Sequence, residues 1–311
     1  MTQSTIGIDI SKDILDVHRL ADGATCRFAN TAAGHKALVA WIGCEGARVI
    51  FEPTGPYHRA FERALTRAGL PLVKVNPRQA RRFAEATGRL AKTDRLDAAL
   101  LARMGALLDL PARPMRSDFL AELSELHHAR EALVKDRTAA RNRAKILTLP
   151  LLKRQNRQRL HHIERQIAAV EAQILARLEA DPELAHRFAI VTSIPGLSRL
   201  SAFALLIEMP ELGTLEPKQA ASLAGLAPVT RQSGRWTGRA SIGGGRASLR
   251  RHLYMPALVA ARFNPDLKAK YDQLIEAGKP AKVALTAIMR KLLVLANALL
   301  KTGRTWSPKM A

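Results

Sequence analysis

Four acids in this chain fall where strand and helix ends could gather them. Asp9 lies in the β-branched run Thr-Ile-Gly-Ile-Asp-Ile from Thr5, and Glu52 follows the apolar run Val-Ile-Phe from Val49. If those two strands lie side by side, both carboxylates emerge at one sheet edge. Asp94 and Asp97 stand three residues apart in Lys-Thr-Asp-Arg-Leu-Asp-Ala from Lys92, which puts them on one face of a helix starting near Thr93. An all-oxygen set suits hard divalent cations, and two such ions about 4 Å apart can activate a nucleophile and stabilise a leaving oxygen in phosphodiester cleavage. Each acid also has a plainer reading. Asp94 can simply begin a helix, where the local dipole favours a carboxylate, and Glu52 before Pro53 can be an ordinary strand end. Asp9 is harder to explain away, because a carboxylate within an apolar strand needs a cation or hydrogen-bond donors. Asp13 and Asp16 read as turn and surface residues of the following strand.

A second kind of chemistry is suggested near the other end. Between residues 231 and 251 stand Arg231, Arg235, Arg239, Arg246, Arg250 and Arg251 with no acid, interleaved with Ser233, Trp236, Ser241 and Gly243-Gly244-Gly245. Glycines let backbone amides approach a phosphate closely, and arginine forks pair with it. A serine here can be nucleophilic, since the arginines lower the cost of its alkoxide. Ser233 and Ser241 can equally be loop residues that hydrogen-bond backbone or phosphate. Trp236 fits stacking on a base or sugar, or core packing. Residues 130–165 hold eleven Lys/Arg against three acids, among them Arg141, Arg143, Lys145, Lys153 and Arg154. A merely solvated helix face would mix signs, so nucleic-acid contact is expected there. Ser-Ile-Pro-Gly from Ser193 reads as a turn whose amides hold a phosphate at a helix start. His127-His128 and His161-His162 lack the spacing of a zinc set and read as surface histidines.

The elements that must position these groups are legible in outline. Strands are expected over residues 5–10, 14–20, 25–29, 48–51 and 70–75, and helices over 34–41 and 57–68. The resulting order βββαβαβα points to a mixed α/β sheet of the ribonuclease-H type, with the later strands parallel because helices cross between them. Strand signals fade beyond Pro114. Apolar residues then recur at helical spacing from Leu120 to Leu178, broken by Pro150, which predicts a helical hairpin. Residues 188–300 are again mainly helical. The fold class is therefore α/β plus all-α, in three parts: 1–112, a basic hairpin or coiled coil at 113–184, and a helical part at 185–311 that carries the serine loop.

Composition narrows the partner. The 311 residues carry 49 Lys+Arg against 27 Asp+Glu, a net charge of +22, and such an excess is the footprint of a polyanion binder. With 47% hydrophobic and 24% charged residues, the chain is globular rather than disordered. The most apolar stretch, 281–300, is interrupted by Lys282, Arg290 and Lys291, so no membrane span is expected. The start of the sequence lacks the layout of a signal peptide, and Cys26 and Cys44 read as core filler in a reduced, cytoplasmic protein.

Taken together, several segments resemble the insertion-sequence-110-type transposase family, also described as Piv-type DNA recombinases with a RuvC-like domain. They are Gly-Ile-Asp-Ile-Ser-Lys-Asp-Ile-Leu-Asp-Val from Gly7, Glu-Pro-Thr-Gly-Pro-Tyr from Glu52, Val-Asn-Pro from Val75, and the Lys92 segment. In the second half they are Ser-Ile-Pro-Gly from Ser193, Leu-Ala-Gly-Leu-Ala-Pro from Leu223, Ser-Gly at Ser233, and Leu-Arg-Arg-His-Leu-Tyr-Met from Leu249. The resemblance implies that Asp9, Glu52, Asp94 and Asp97 hold Mg²⁺, with Mn²⁺ as the alternative, and that Ser233 forms a covalent phosphoserine link to DNA. It further implies donor and target DNA as partners, a structured noncoding guide RNA, and a homo-oligomer (dimer or tetramer) that unites the acids of one subunit with the serine of another. Gly243-Gly244-Gly245 departs from the family pattern, which keeps Ser241 as a second candidate. Two rival functions remain: a RuvC-like nuclease using metal-activated water, and a non-catalytic nucleic-acid-binding protein. No Gly-x-x-x-x-Gly-Lys-Ser/Thr loop occurs, and strand exchange that conserves phosphodiester energy needs none.

Overall fold

The computed structural model describes residues 4–43, 46–88, 94–108, 110, 112 and 117–308, apart from the side chains of Asp94 and Arg95. They divide into two compact units, Met1–Ser117 and Asp118–Ala311.

In the first unit five strands form one sheet: β1 (Thr5–Ile10), β2 (Ile14–Arg19), β3 (Thr25–Ala29), β4 (Arg48–Phe51) and β5 (Leu72–Lys74), in the order β3-β2-β1-β4-β5. The first three are antiparallel neighbours, and β4 and β5 are added parallel. Helices α1 (Ala32–Ile42), α2 (His58–Arg67), α3 (Pro77–Ala86) and α4 (Asp94–Leu107) complete it. This is the mixed ribonuclease-H-like sheet that the element order predicted.

Alternation along the strands sorts the two faces. Ile6, Ile8, Ile10, Leu15, Val17, Val49 and Phe51 pack with Leu38, Phe61 and Leu65 of α1 and α2. On the other face Ile50 and Val73 meet Leu101 and Met104 of α4. Two glycines allow that approach. A Cβ on Gly7 would stand 2.0 Å from the Ala98 carbonyl oxygen and 2.4 Å from the Ala102 nitrogen, and one on Gly105 would stand 2.3 Å from Ile50 Cγ1. Helix α4 therefore lies directly on the backbone of β1. Cys26 is only half-buried, contrary to the core-filler expectation, because β3 is an edge strand with a neighbour on one side alone. Cys44 lies outside the described residues.

The second unit opens with α5 (Asp118–Ala144) and α6 (Pro150–Ala180), the predicted hairpin, with Pro150 as the first residue of α6. The helices run antiparallel, as the ion pairs Arg130–Glu171 and Arg141–Glu164 require. They share a small core of Ala140, Ile163 and Ile167. Then follow α7 (Pro182–Thr192), α8 (Arg199–Glu208), α9 (Pro217–Leu223), four two-residue strands, α10 (Ala247–Phe263), α11 (Pro265–Glu276) and α12 (Ala281–Thr302). Helix α12 is long and apolar enough to cross a membrane, with a mean hydropathy of 1.8, but its Ile288, Met289, Leu292, Leu293 and Ala296 are buried in this unit's core. The root of the hairpin joins the same core through Leu123, Ile174 and Leu178. Gly196 of the Ser-Ile-Pro-Gly turn, at φ +108°, sits where a Cβ would be 2.7 Å from Ala260 Cβ and 2.9 Å from the Pro256 oxygen. Close packing on α10 requires glycine there.

Candidate active site

Pairing register decides where the acids fall. In the parallel pair of β1 and β4, Gly7 lies opposite Ile50 and Ile8 opposite Phe51, so the next step brings Asp9 beside Glu52 on strands about 4.8 Å apart. By the two-residue alternation, Asp9 shares the face of Gly7, and Glu52 shares that of Ile50. That is the face α4 covers. Gly105 sits over Ile50 and Thr5, and Ala98 and Ala102 sit over Gly7, so α4 runs antiparallel to β1. Two strand residues advance about 6.6 Å, equivalent to between four and five helix residues at about 1.5 Å each. The same advance from Gly7 to Asp9 reaches the first turn of α4, which contains Asp94 and Asp97. Asp9, Glu52 and Asp97 are all half-buried; Asp94 is the first residue of α4, and its side chain lies outside the described set. Oxygen donors gathered on one face at adjacent strand ends fit a hard divalent cation.

The rim of this face is braced by residues that sequence reasoning missed. Ser11 Oγ donates to the Ile14 oxygen at 2.8 Å and accepts from the Ile14 nitrogen at 3.0 Å, closing the turn after Asp9. Asn30 Nδ2 donates to the Ser11 oxygen at 2.9 Å and to the Tyr57 oxygen at 3.2 Å. One amide thus ties the end of the Asp9 strand to the loop that follows Glu52. His35 Nε2 donates to Asn30 Oδ1 at 2.8 Å, and burial lowers the pKa of that imidazole. Asp16 corrects the surface assignment. It lies opposite Asp9 in the β1–β2 register, is 9% exposed, and accepts from Arg27 Nε at 3.0 Å. An acid on the inner face of a central strand is buried by α4 and needs the arginine that β3 supplies.

Ser233 is held quite differently. It closes β7 (Gln232–Ser233) and pairs with Trp236 of β8 (Trp236–Thr237) across a turn in which Gly234 has φ +55°. Strands β6 (Pro228–Val229) and β9 (Ser241–Ile242) form a second small ladder at the base of the loop. Ser233, Ser241, Arg231, Arg235 and Arg239 are exposed, and Trp236 is 60% exposed. The foot of the loop rests on a contact between two glycines. A Cβ on Gly245 would be 2.3 Å from the Gly225 nitrogen, and one on Gly225 would be 2.3 Å from the Gly244 oxygen. The Leu-Ala-Gly-Leu-Ala-Pro and triple-glycine segments therefore fit each other.

Two family models match the chain: a DEDD-type IS110 transposase domain over residues 6–149 and "Transposase IS116/IS110/IS902 family" over residues 188–272. Pilin gene-inverting proteins of Moraxella bovis and Moraxella lacunata are 31% and 30% identical to it over 327 aligned positions, which cover all of this chain and 99% of each relative. The chain belongs to the IS110 transposase family. As a member it is a transposase-type enzyme acting on DNA. The first matched region holds all four acids and the second holds Ser233 and Ser241. The acids of a DEDD-type domain call for a divalent cation, in keeping with the donor set on the sheet face.

The basic residues of this IS110-family chain divide by what they touch. Arg246 clamps Glu211 with two hydrogen bonds of 2.8 and 2.7 Å and donates to the Glu208 main-chain oxygen at 2.7 Å. Arg250 donates to the Gly244 oxygen at 2.6 Å and the Ala224 oxygen at 3.2 Å. Both hold the foot of the serine loop. Arg251 is exposed on α10. On the hairpin, Arg141 pairs with Glu164, while Arg143, Lys145, Lys153 and Arg154 are exposed around the bend.

His127 overturns the surface-histidine expectation. It is 2% exposed, and its Nε2 lies 3.1 Å from Glu208 Oε1; His128, His161 and His162 are exposed. Its partners come from positions distant in sequence, so no local spacing announced them. Burial tends to raise the Glu208 pKa, yet hydrogen bonds from His127, His252 and Ser248 hold it well below the usual carboxylate range.

Proposed function

We propose that this chain is a Mg²⁺-dependent DNA recombinase of a mobile element, which cuts and rejoins strands through a phosphoserine on Ser233 and is guided by a noncoding RNA of its own element. The observation that carries this reading is the pairing of two sites within one family match: carboxylates gathered on a covered sheet face, and an exposed serine on an arginine-rich hairpin. Ser233 Oγ attacks phosphorus and loses its proton; the bond to the 3′ oxygen breaks, and that oxygen takes up a proton. A covalent serine phosphodiester and a free 3′ hydroxyl result, and attack by another 3′ hydroxyl reverses the step on a new strand. Asp9, Glu52, Asp94 and Asp97 would hold the cation, which when bound offsets charge on the phosphoryl oxygens and the departing oxygen. Arg231, Arg235, Arg239 and Arg251 contact phosphates, Trp236 stacks on a base or sugar, and Arg246 and Arg250 keep the loop in shape. The three functional parts are the metal-binding region 1–112, the basic hairpin 113–184 and the serine-bearing region 185–311. The exposed Arg143, Lys145, Lys153 and Arg154, with Arg141, offer nucleic acid a positive bend on the hairpin, and the enzyme works as a homo-oligomer.

The test is trapping. Incubation with element-end DNA and Mg²⁺, followed by denaturation, is expected to leave a protein–DNA adduct that Ser233→Ala abolishes and Ser241→Ala retains. Free ends without an adduct, produced undiminished by Ser233→Ala, would establish the metal-activated-water nuclease instead. Sequencing RNA that copurifies with the protein tests the guide: an element-derived transcript is expected, and its absence points to direct reading of DNA by the protein.

A further inference from the structure

A second cluster of ligating groups lies wholly within the second unit, where α5, α8 and α10 meet. His127 and Glu131 come from α5, Glu208 ends α8, and His252 lies in α10. Each offers one donor atom, and the four atoms lie within 4.8 Å of one another. His127 Nε2 is 3.1 Å from Glu208 Oε1; His252 Nε2 is 3.1 Å from Glu131 Oε1 and 3.3 Å from Glu208 Oε1. For metal bonds of about 2.0–2.1 Å, the edge of a coordination tetrahedron is about 3.3 Å, so these separations already match those between ligands of one ion. The side chains are 2, 18, 10 and 21% exposed for His127, Glu131, Glu208 and His252, buried enough to hold an ion and open enough to admit it.

Charge favours a cation at this point. Two carboxylates converge on imidazoles that, when neutral, supply one N–H each, and the Nδ1 of His127 is buried with no hydrogen-bond partner, which leaves Nε2 as that ring's working atom. Ser248 Oγ donates to the second oxygen of Glu208, as an outer residue does when it orients a ligating carboxylate. Arg130 pairs with Glu171, and Arg246 with Glu211 and the Glu208 main-chain oxygen rather than with the Glu208 carboxylate. With both imidazoles neutral, the two half-buried carboxylates have hydrogen-bond donors but no balancing positive charge, a cost that a bound cation removes. Two imidazoles with two carboxylates select a borderline ion such as Zn²⁺ over Mg²⁺, and four protein donors leave no open position, the mark of a structural rather than a catalytic site.

We propose that His127, Glu131, Glu208 and His252 bind one zinc-type divalent cation that fastens the root of the helical hairpin to the helix leading out of the serine loop. The site is independent of the DEDD acids and of the proposed phosphoserine chemistry. Glu131 and His252 are 121 positions apart in the chain, and α10 starts directly after the loop, so one ion sets the hairpin against the loop's exit.

The experiment titrates the chelator-treated full chain with Zn²⁺ and Co²⁺ in an Asp9→Asn, Glu52→Gln background that disables the acid site. About one equivalent per chain is expected, with the visible absorption of four-coordinate Co²⁺, a raised melting temperature and no displacement by millimolar Mg²⁺. Glu131→Gln and His252→Gln, both at partly exposed positions, are expected to weaken Zn²⁺ binding at least about tenfold and to cancel the thermal shift. No tight Zn²⁺ binding by the parent chain overturns the proposal, as does binding that both variants keep, which would place the ion elsewhere.

Discussion

The acid face and the serine loop sit at opposite ends of a scale of local order. Asp9 and Glu52 stand at the ends of paired strands beneath a helix so close that β1 needs glycine at position 7. Ser233 stands on a two-residue strand in which every neighbour from Arg231 to Thr237 is exposed. The contrast fits the two chemical tasks proposed for these residues. Cation ligands must be fixed before the ion arrives, because each misplaced oxygen weakens the site. A nucleophile that is to hold one DNA strand and release it to another needs a segment of low local stability. If the contrast is right, substitutions should separate catalysis from stability in the loop and join them on the sheet.

The largest effect is expected at Ser233. Ser233→Ala should lower strand exchange by more than about 10³-fold, while denaturant unfolding shifts by less than about 0.5 kcal/mol, as for an exposed side chain with no structural contact. An equally large loss of stability would show the loop to be a rigid element and remove the distinction. Gly7→Ala is the opposite case. The added methyl meets the α4 backbone rather than a flexible side chain, so α4 must move, at a cost of about 1–3 kcal/mol, and Asp94 and Asp97 move with it. Activity and the unfolding midpoint should fall together; a stable Gly7→Ala protein with full activity would show that α4 does not set the acid geometry.

The two regions also differed in how far the sequence revealed them. The strand containing Asp9 and the one before Glu52 carry period-two or near-continuous apolar runs bounded by turn residues, so β1 and β4 could be placed to the residue and the acids assigned to one edge. The bracing role of Asn30 and the burial of Asp16 were invisible, since both depend on which strand lies next to which. In the loop, four two-residue strands carry too little pattern to be read, and the glycines looked like generic flexibility. Their purpose, the contact of Gly225 with Gly245, appears only when segments about 20 residues apart are brought together. The cluster around His127 was the most hidden, because its four donors come from three helices and a histidine on a basic helix looks like surface.

A smaller effect separates the arginines of the loop from one another. Arg246→Ala removes a bidentate pair with Glu211 and a bond to the Glu208 oxygen, and should cost about 1–2 kcal/mol of stability in the second unit. Arg239→Ala, at an exposed position, should leave stability within about 0.5 kcal/mol of the parent and reduce the salt dependence of DNA binding by about one counterion. Equal salt slopes for the two variants would mean that engagement with Glu211 does not keep Arg246 from the DNA.

The smallest effect concerns pH and belongs to the ordered region. Burial lowers the pKa of His35, and burial together with the nearby Lys74 charge lowers that of His58, against the opposing pull of Glu62; both fall below the ordinary value of 6.5. Just below that value the unfolded chain binds more protons than the folded one, so stability rises with pH there. The first unit should therefore hold its full stability above about pH 6.5, and lose it as the pH falls from there towards the lower folded-state values. The slope for each histidine cannot exceed about 1.4 kcal/mol per pH unit. Since His35 donates to the Asn30 amide that ties the Asp9 strand to the Glu52 loop, His35→Gln should flatten this dependence while keeping a donor for Asn30. Unfolding curves of the two proteins across pH 5 to 8 test it. Identical slopes would remove His35 from the account and leave His58 as the group that titrates, whereas a steeper curve for His35→Gln would contradict the assigned sign.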